Sequence, residues 1–225
     1  MHIPAIPASV FQPPPVTCPG CHGTLRTLAE ECELCRWTAW HCVDRFPFDP
    51  PVFERFIDAD SRLSDADLKE LNKAIDTLEQ TMPQIRVHVC IARLPENTDA
   101  RECGFWMMNA SVPPDDEAAA RRPWSILLLI DRTARAATFT VGYALDAFVS
   151  DRRLLAALEP ASGAFISGQY GRGIARTISR LQRELATCQR EAAYLAAKFR
   201  HSVEDGSVSP ELLKECQTVA RRTKY

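Results

Sequence analysis

The sequence lacks an apolar run long enough to cross a membrane, an excess of charge of one sign, and a recognisable leader peptide. Its longest strongly apolar run, Trp124 to Ile130, is about a third of the roughly 20 residues that a transmembrane helix needs. The 27 lysines and arginines nearly balance the 29 aspartates and glutamates, for a formal net charge of −2. Such a chain has no overall basic field to hold nucleic acid. The first residues have no basic cluster before an apolar stretch, so we expect no secretory signal and a cytoplasmic protein.

The sequence does have a large apolar fraction and nine cysteines. Hydrophobic residues make up 46% and charged residues 25% of the chain, which is typical of a globular protein and excludes disorder throughout. Without an export signal, this many cysteines favour reduced thiols or metal thiolates over a disulfide framework. The length of 225 residues predicts one medium-sized domain with a small appendage.

Composition divides the chain into five regions. Residues 1–17 are rich in proline and nearly uncharged, which predicts a disordered tail. Residues 18–45 hold five cysteines and are predicted to form a zinc ribbon. Residues 46–57 mix proline with four phenylalanines, which favours an ordered connector whose aromatic rings lie against a neighbouring surface. An α/β domain is predicted over 58–200, followed by a helical extension over 201–225.

The most specific motif is a pair of Cys-x-x-Cys turns, Cys18 with Cys21 and Cys32 with Cys35, separated by ten residues. Two such turns present four thiolates to one tetrahedral Zn²⁺, which then has no open position and is structural. Iron in a rubredoxin-like site and two disulfides are the alternatives. Three further residues are alternate ligands: His22, His41 and Cys42.

From Asp58 onward, the spacing of apolar residues predicts helices and strands. Ser64 is a good N-cap for a helix that ends at Pro83. Residues 84–92 alternate apolar and polar side chains, which predicts a strand with one polar face. The other predicted elements are a helix at 98–109 capped by Thr98, a loop at 111–122, strands at 124–130 and 135–141, and helices at 150–159, 169–200 and 209–219.

These elements predict a three-layer α/β/α sandwich around a small mixed sheet. The strands at 84–92 and 124–130 should be parallel, with a right-handed helical crossover between them. Since parallel strands end at the same edge of a sheet, we expect Asp58 and Asp131 to converge there, with Asp60 or Asp65 behind them. Carboxylates so placed could bind Ca²⁺ or Mg²⁺. Ordinary capping of turns by aspartate is the alternative.

The order of motifs from Asp58 to about Leu185 resembles the TPM domain family. Asp58 stands five residues before Leu63-Ser64, the stretch TFTVGYALDAFVSD follows the second strand, and GQYGRGI opens the long helix. Four residues of the central stretch match the family pattern: Gly142, Leu145, Asp146 and Asp151. The resemblance implies a small sheet between helices, and a role as a calcium-binding protein, a weak acid phosphatase or an assembly module. An alanine- and arginine-rich loop, 118–122, replaces the glycine-rich approach of the family.

We interpret the chain as a zinc-ribbon, TPM-like binding or assembly module whose partner is another protein. An exposed apolar patch near Trp40 and residues 46–56 would favour this interpretation. One alternative is a weak metal-dependent phosphatase, with Arg93 or Arg132 as its cation; no ordered pair of nucleophile and base identifies catalytic residues. The other alternative is a nucleic-acid adaptor that binds phosphate through arginines of the long helix; the simpler interpretation is that these arginines form a solvated face. They are Arg172, Arg176, Arg180, Arg183 and Arg190.

Overall fold

A four-stranded mixed sheet is the centre of the fold in a computed structural model of the chain. The structure describes residues 16–18, 20–21, 23–25, 30–38, 40–46, 49–96, 98–146 and 148–204. Within these ranges the strands lie in chain order: β3 (Phe56–Asp58), β4 (Arg86–Ala92), β5 (Ser125–Asp131) and β6 (Ala136–Val141). The first three strands are parallel and β6 is antiparallel to β5. The predicted α/β fold with a small mixed sheet is therefore confirmed.

Helices lie on both faces of this sheet, and a two-stranded ribbon precedes it. The ribbon consists of β1 (Val16–Thr17) and β2 (Thr24–Leu25). The helices are α1 (Trp40–Arg45), α2 (Asp65–Thr81), α3 (Ala100–Ala110), α4 (Asp116–Arg121), α5 (Asp151–Leu158), α6 (Ser162–Ile166) and α7 (Tyr170–Glu204). None of them, over its described length, is long and apolar enough to span a lipid bilayer.

The first face of the sheet is covered by α2, α5 and α7. Val89 and Leu128 of the sheet belong to one buried cluster with Ile75 of α2 and Ile178 of α7. Each of these side chains is at most 1% exposed, and full burial of one contributes about 1.5–3 kcal/mol. All seven residues of β5 are buried, as its continuous apolar sequence predicts.

The second face is covered by α3 and the N-terminal cysteine-containing segment. Cys90 of β4 and Leu129 of β5 lie in a second buried cluster with Trp106 and Met107 of α3. The predicted polar face of β4 is therefore wrong at Cys90, because α3 covers the end of the strand at which Cys90 lies. On this side, Arg86 and His88 at the beginning of β4 and Ala92 at its end are half-buried.

Helix α2 begins as predicted, with reciprocal hydrogen bonds at its N-terminus. Ser64 Oγ accepts a hydrogen bond from the Asp67 backbone N–H at 3.2 Å, and the Ser64 N–H donates to Asp67 Oδ2 at 3.0 Å. This capping box satisfies two backbone donors that the first turn leaves free. The helix ends at Thr81, shortly before Pro83, and residues 59–64 connect its N-terminus to the end of β3.

Three of the differences between the observed elements and the sequence prediction have local reasons. Helix α4 forms inside the predicted loop because Asp115 accepts a hydrogen bond from the Ala118 N–H at 2.7 Å and so caps it. Asp99, rather than Thr98, caps α3. Strand β3 occupies residues 56–58, where the predicted connector gives way to the domain; it is recognisable only by its pairing with β4.

Helix α7 follows the predicted apolar spacing. Ile174, Ile178, Leu181 and Leu185 are all buried, and the helix continues to Glu204 rather than Arg200. Arg153 of α5 forms salt bridges with two acids of α7, Glu184 at 3.2 Å and Glu191 at 2.6 Å. The predicted helix at 209–219 and most of the predicted tail, residues 1–15, lie outside the described residues.

Candidate metal centre and carboxyl edge

The four cysteines of the two Cys-x-x-Cys turns come together in space. The sulfur atoms of Cys18, Cys21, Cys32 and Cys35 all lie within 4.8 Å of one another. Cys18 Sγ lies 3.7 Å from Cys35 Sγ, and Cys21 Sγ lies 3.7 Å from Cys32 Sγ. A tetrahedral ion with metal–sulfur bonds of about 2.3 Å requires sulfur–sulfur distances of about 3.8 Å. The spacing therefore fits one ion, and all four cysteines are free thiols rather than disulfides.

Two short hairpins hold this four-cysteine cluster. The Cys18 N–H donates to the Gly23 carbonyl at 2.8 Å, which closes the turn between β1 and β2. The Cys32 N–H donates to the Trp37 carbonyl at 2.8 Å, which closes the second turn. Arg36 completes that turn in the left-handed region, with φ of 62°. Each hairpin thereby presents both of its sulfurs to the same point.

Backbone N–H groups of the turns point at the sulfur atoms. The N–H of Cys35 lowers the pKa of the Cys32 thiol to about 7. Burial raises the pKa of the Cys18 thiol, and the N–H groups of Cys21 and Gly20 oppose that rise. Since a metal binds the thiolate and not the thiol, these donors favour the ligating form.

The cluster is attached to the domain through Glu102 of α3. Trp37 Nε1 donates to Glu102 Oε1 at 3.2 Å, and Arg45 of α1 forms a salt bridge with Glu102 Oε2. The Trp37 ring packs edge-on against Phe105, with ring centroids 5.2 Å apart. Glu102 is not among the site residues predicted from the sequence; its only signal is its position on the apolar side of α3, where a lone acid needs a buried partner.

The aromatic residues of this segment divide between the interior and the surface. Phe46 stacks on Trp106 with centroids 4.9 Å apart, and Phe53 is also buried. Trp40 and Leu34 are exposed, at 76% and 74%. Trp40 is exposed because α1 turns its first residue outward.

The alternate ligands lie away from the four sulfur atoms or outside the described residues. Cys42 lies on the buried side of α1, and burial raises the pKa of its thiol to about 11. His41 Nδ1 accepts a hydrogen bond from the Thr38 N–H at 3.0 Å. His22 lies outside the described residues.

Asp58 and Asp131 share one edge of the sheet, the carboxyl edge, where β3, β4 and β5 end. Asp58 pairs with Ile91 and Asp131 pairs with Ala92. Paired residues project from the same face of a sheet, and successive residues project from opposite faces. Ile91 belongs to the core of the first face and Ala92 packs against that of the second. The two carboxylates therefore leave the sheet on opposite faces, and the expectation that topology alone brings them together needs this correction.

The two carboxylates also differ in their hydrogen bonds. Asp58 Oδ2 accepts from the Leu63 N–H at 2.8 Å, whereas Asp58 Oδ1 is buried and has no hydrogen-bond partner among the residues that the structure describes. Asp131 Oδ1 accepts from the N–H groups of Thr133 at 2.8 Å and Leu94 at 3.3 Å. Asp131 thus caps the turn after β5. A cation at this edge stays a prediction.

The predicted cations gather around Asp60 at the same edge. Arg93 Nε donates to Asp60 Oδ2 at 3.1 Å, and Arg132 also forms a salt bridge with that oxygen. The Arg132 guanidinium lies 5.9 Å from the centroid of the Tyr170 ring. Arg132 and Arg135 line a cavity of about 290 Å³ beside them.

The arginines of the long helix stand among carboxylates. Arg172, Arg176 and Arg183 line a shallow cavity together with Asp67 and Glu70 of α2. In the same helix Arg180 pairs with an acid one turn later, Glu184, at 2.8 Å. This partial neutralisation weakens the case for a phosphate-binding stripe.

The fold and the cysteines together define an α/β sandwich that carries a segment with four cysteines positioned to bind a metal ion. Residues 56–184, more than half of the chain, match the family model of the TPM domain. The chain therefore belongs to the TPM domain family.

Solved structures similar to this one have low sequence identity. The N-terminal domain of a protein from P. gingivalis aligns with 16% identity and a TM-score of 0.47, over 64% of this chain and 87% of that chain. The N-terminal domain of the cg2496 protein from Corynebacterium glutamicum aligns with 14% identity and a TM-score of 0.43, over 70% and 85%. The BA42 protein from Bizionia argentinensis aligns with 13% identity and a TM-score of 0.46, over 58% and 86%. No curated protein matches the chain.

Proposed function

We propose that the chain is a cytoplasmic binding or assembly module in which one structural Zn²⁺ holds a ribbon against a TPM domain. The observation that carries this proposal is the two-sided character of the cysteine-containing segment. Its inner side, with Trp37 and Phe46, is buried on α3, while Trp40 and Leu34 on the same segment face outward. Large apolar side chains exposed on a rigid support favour a protein partner.

Zinc is the ion we propose because four thiolates satisfy its tetrahedral preference. We expect the purified chain to contain one zinc per molecule, and Cys18→Ser to reduce the metal content severely. Cys188→Ser, a buried cysteine of α7 outside the cluster, is the matched control and should retain the metal. Elemental analysis measures the metal content of the unaltered protein and the two variants. Stoichiometric iron instead of zinc would overturn the choice of ion.

The partner surface can be tested by site-specific cross-linking. A photoreactive amino acid replacing Trp40 should capture a defined protein in cells, whereas the same group at Glu117, exposed on α4, should not. Capture of the same set of proteins from both positions would contradict a binding role for the ribbon.

Phosphate-ester hydrolysis is a second candidate, favoured by the two arginines in the cavity of about 290 Å³. Arg132 would stabilise the negative charge that develops on a transferred phosphoryl group. A divalent cation held by the unpartnered oxygen of Asp58 would supply Lewis-acid chemistry at the same edge. Hydrolysis of p-nitrophenyl phosphate that requires added Ca²⁺ or Mg²⁺ and falls in both Arg132→Ala and Asp58→Asn would support this candidate.

A further inference from the structure

We propose that the open edge of β6 binds an extended, basic segment of another protein as an added strand. Strand β6 is the last in the sheet order, and within the described residues no strand pairs with its outer side. An exposed strand edge is a template on which another extended segment forms hydrogen bonds. This edge is a second binding surface, and the inference depends neither on the proposed zinc nor on the surface around Trp40.

The register identifies which backbone groups of β6 face outward. The Gly142 N–H donates to the Ser125 carbonyl at 2.7 Å, and the same register continues along the strand. Antiparallel pairs alternate between hydrogen-bonded and non-hydrogen-bonded residues. Even-numbered residues of β6 therefore bond to β5, and the N–H groups of Ala137, Phe139 and Val141 point away from it. In the described part of the chain, no other backbone group accepts from these three.

The outer edge of β6 lies in a groove with apolar walls. All six residues of β6 line a cavity of about 440 Å³, which is within the size range of ligand-binding clefts. Phe105 of α3 lines it on the second face of the sheet, and Leu155 of α5 lines it on the first. Leu155 is 57% exposed and Tyr143, just after β6, is 56% exposed. Since side chains of a strand alternate between the two faces, an added strand would place apolar side chains against both walls.

Both ends of the groove carry acids. At the beginning of β6, Asp131 pairs with Ala136. Just after its last residue, the Asp146 N–H donates to the Gly142 carbonyl at 3.2 Å, and Asp151 begins α5. In all, the cavity is lined by four acids and one arginine: Asp99, Asp131, Asp146, Asp151 and Arg101. This excess of negative charge favours a segment that contains lysine or arginine.

Charge also argues against two other occupants. In a symmetric antiparallel pair of β6 edges, Asp146 of one copy would lie near Asp131 of the other, and like charges across strands are destabilising. A second copy would also bring its own α3 and α5 against the walls of the groove. A polyamine would match the charge, but it has no carbonyl oxygen to accept from the outward N–H groups. A basic peptide segment satisfies both requirements.

A phage-displayed library of random heptapeptides is the probe for this surface. The selection is made on full-length Trp40→Ala, so that the peptides found do not depend on Trp40. We expect enriched sequences that combine lysine or arginine with β-branched residues and lack proline at their centre. A synthetic peptide of this class should bind at least about threefold more weakly to Asp146→Asn/Asp151→Asn. Asp116→Asn/Glu117→Gln, which removes two acids of α4 outside the cavity, is the matched control and should bind it unchanged.

The results of the selection decide on the charge of the partner. No enrichment, or an excess of acidic sequences, would overturn the proposal. Equal binding of the synthetic peptide by the two double variants would also overturn it. Each of these results would leave the metal content and the cross-linking from Trp40 unaffected, so the proposed function would fail or stand separately.

Methylation of the peptide's backbone nitrogens tests the added strand itself. Alternate N–H groups of a strand face its neighbour, so methylation of one alternate set should abolish binding, whereas methylation of the other set should not. In the protein, amide exchange of Ala137, Phe139 and Val141 should slow at least about tenfold with saturating peptide. Thr138 and Thr140, which bond to β5, should be unchanged.

Two results of these measurements would contradict strand addition. Binding that tolerates both methylated sets would show that the peptide does not pair with β6. Slow exchange of the three outward amides in the chain alone would show that the edge is already covered.

Discussion

At the scale of single residues, Glu102 is a buried carboxylate that joins the cysteine-containing segment to α3. Its side chain is 4% exposed and accepts from Trp37 while pairing with Arg45. A buried carboxylate is tolerated only where such donors replace water. The same carboxylate therefore holds the cysteine-containing segment to α3.

Replacing Glu102 should test this attachment. We expect Glu102→Ala to lower the free energy of unfolding by about 1–3 kcal/mol, because the buried Trp37 N–H loses its acceptor. Glu117→Ala, which removes an exposed salt bridge to Arg121, is the control and should change it by less than about 1 kcal/mol. Urea unfolding of the metal-loaded proteins measures both; equal effects would show that Glu102 does not anchor the segment.

His88 gives the fold a dependence on pH. The ring stacks on Phe53 at 4.0 Å, Nδ1–H donates to the Glu54 carbonyl at 2.9 Å, and burial lowers the pKa of His88 to about 4. The unfolded chain titrates near 6.5, so between these values it binds more protons than the folded chain. Stability should therefore fall as the pH decreases from 6.5 to 4, by at most about 3 kcal/mol.

The variant His88→Phe separates this effect from other titrations. It keeps the aromatic stacking on Phe53 but has no proton to bind. The loss of unfolding free energy between pH 7 and pH 4.5 should be smaller in the variant than in the unaltered protein. Equal losses would indicate that His88 is protonated in the folded state.

At the scale of elements, α3 packs against β6 with Gly104 facing Thr140, where there is no room for a side chain. A Cβ at position 104 would overlap Thr140 Oγ1. Alanine is the better helix former by about 1 kcal/mol. The steric overlap costs typically 1–3 kcal/mol. We therefore expect Gly104→Ala to be destabilising, as measured by thermal or urea unfolding.

Two further substitutions make this test specific. Thr140→Ala removes the overlapping oxygen, so the double variant should recover most of the loss. Gly163→Ala in α6, where an added Cβ meets nothing within 4 Å, should be neutral or stabilising. A destabilisation of Gly104→Ala that Thr140→Ala does not relieve would contradict the steric explanation.

The elements that were predictable are those whose signals lie within one segment. The capping residues and apolar spacing define α2, and continuous burial defines β5, because each depends on neighbours in sequence. Strand β3 has only three residues and depends on its pairing with β4, which no local pattern contains. The faces on which Asp58 and Asp131 project depend on the register between strands, so their placement could not be predicted from the sequence.

The site divides in the same way. The Cys-x-x-Cys spacing is local, and the folded chain brings those four cysteines together as predicted. The contact between Trp37 and Glu102 joins residues 65 positions apart. Nothing near either residue in sequence indicates the other, which is why the attachment of the ribbon could not be anticipated.

At the scale of the whole molecule, the cysteine-containing segment serves as part of the second layer of the sandwich. Cys18, Cys32 and Phe46 belong to the same buried cluster as Leu127 and Leu129 of the sheet. A metal site would thus support the core of the TPM domain in addition to its own turns. Folding and metal binding should be coupled across the molecule.

Chelation of the metal should therefore change the domain as well as the ribbon. We expect a red shift of tryptophan fluorescence as Trp37 and Trp106 gain solvent, and a lower urea midpoint. Far-ultraviolet circular dichroism should change little, because α2 and α7 pack on the other face. Restoration by added Zn²⁺ is the control for irreversible damage; an unchanged midpoint after metal removal would show that the segment is dispensable for stability.

Because side chains alternate between the two faces along β5, Asp58 and Asp131 at the carboxyl edge lie on opposite faces of the sheet. Sliding β5 by one position would bring Asp131 to the side of Asp58, but it would also turn Leu127 and Leu129 out of one core and into the other. Since both cores are filled, neither a one-residue insertion nor a deletion in this strand can unite the acids without dismantling the sandwich. Chemistry that arises at one of them must therefore recruit its other groups from its own side of the sheet.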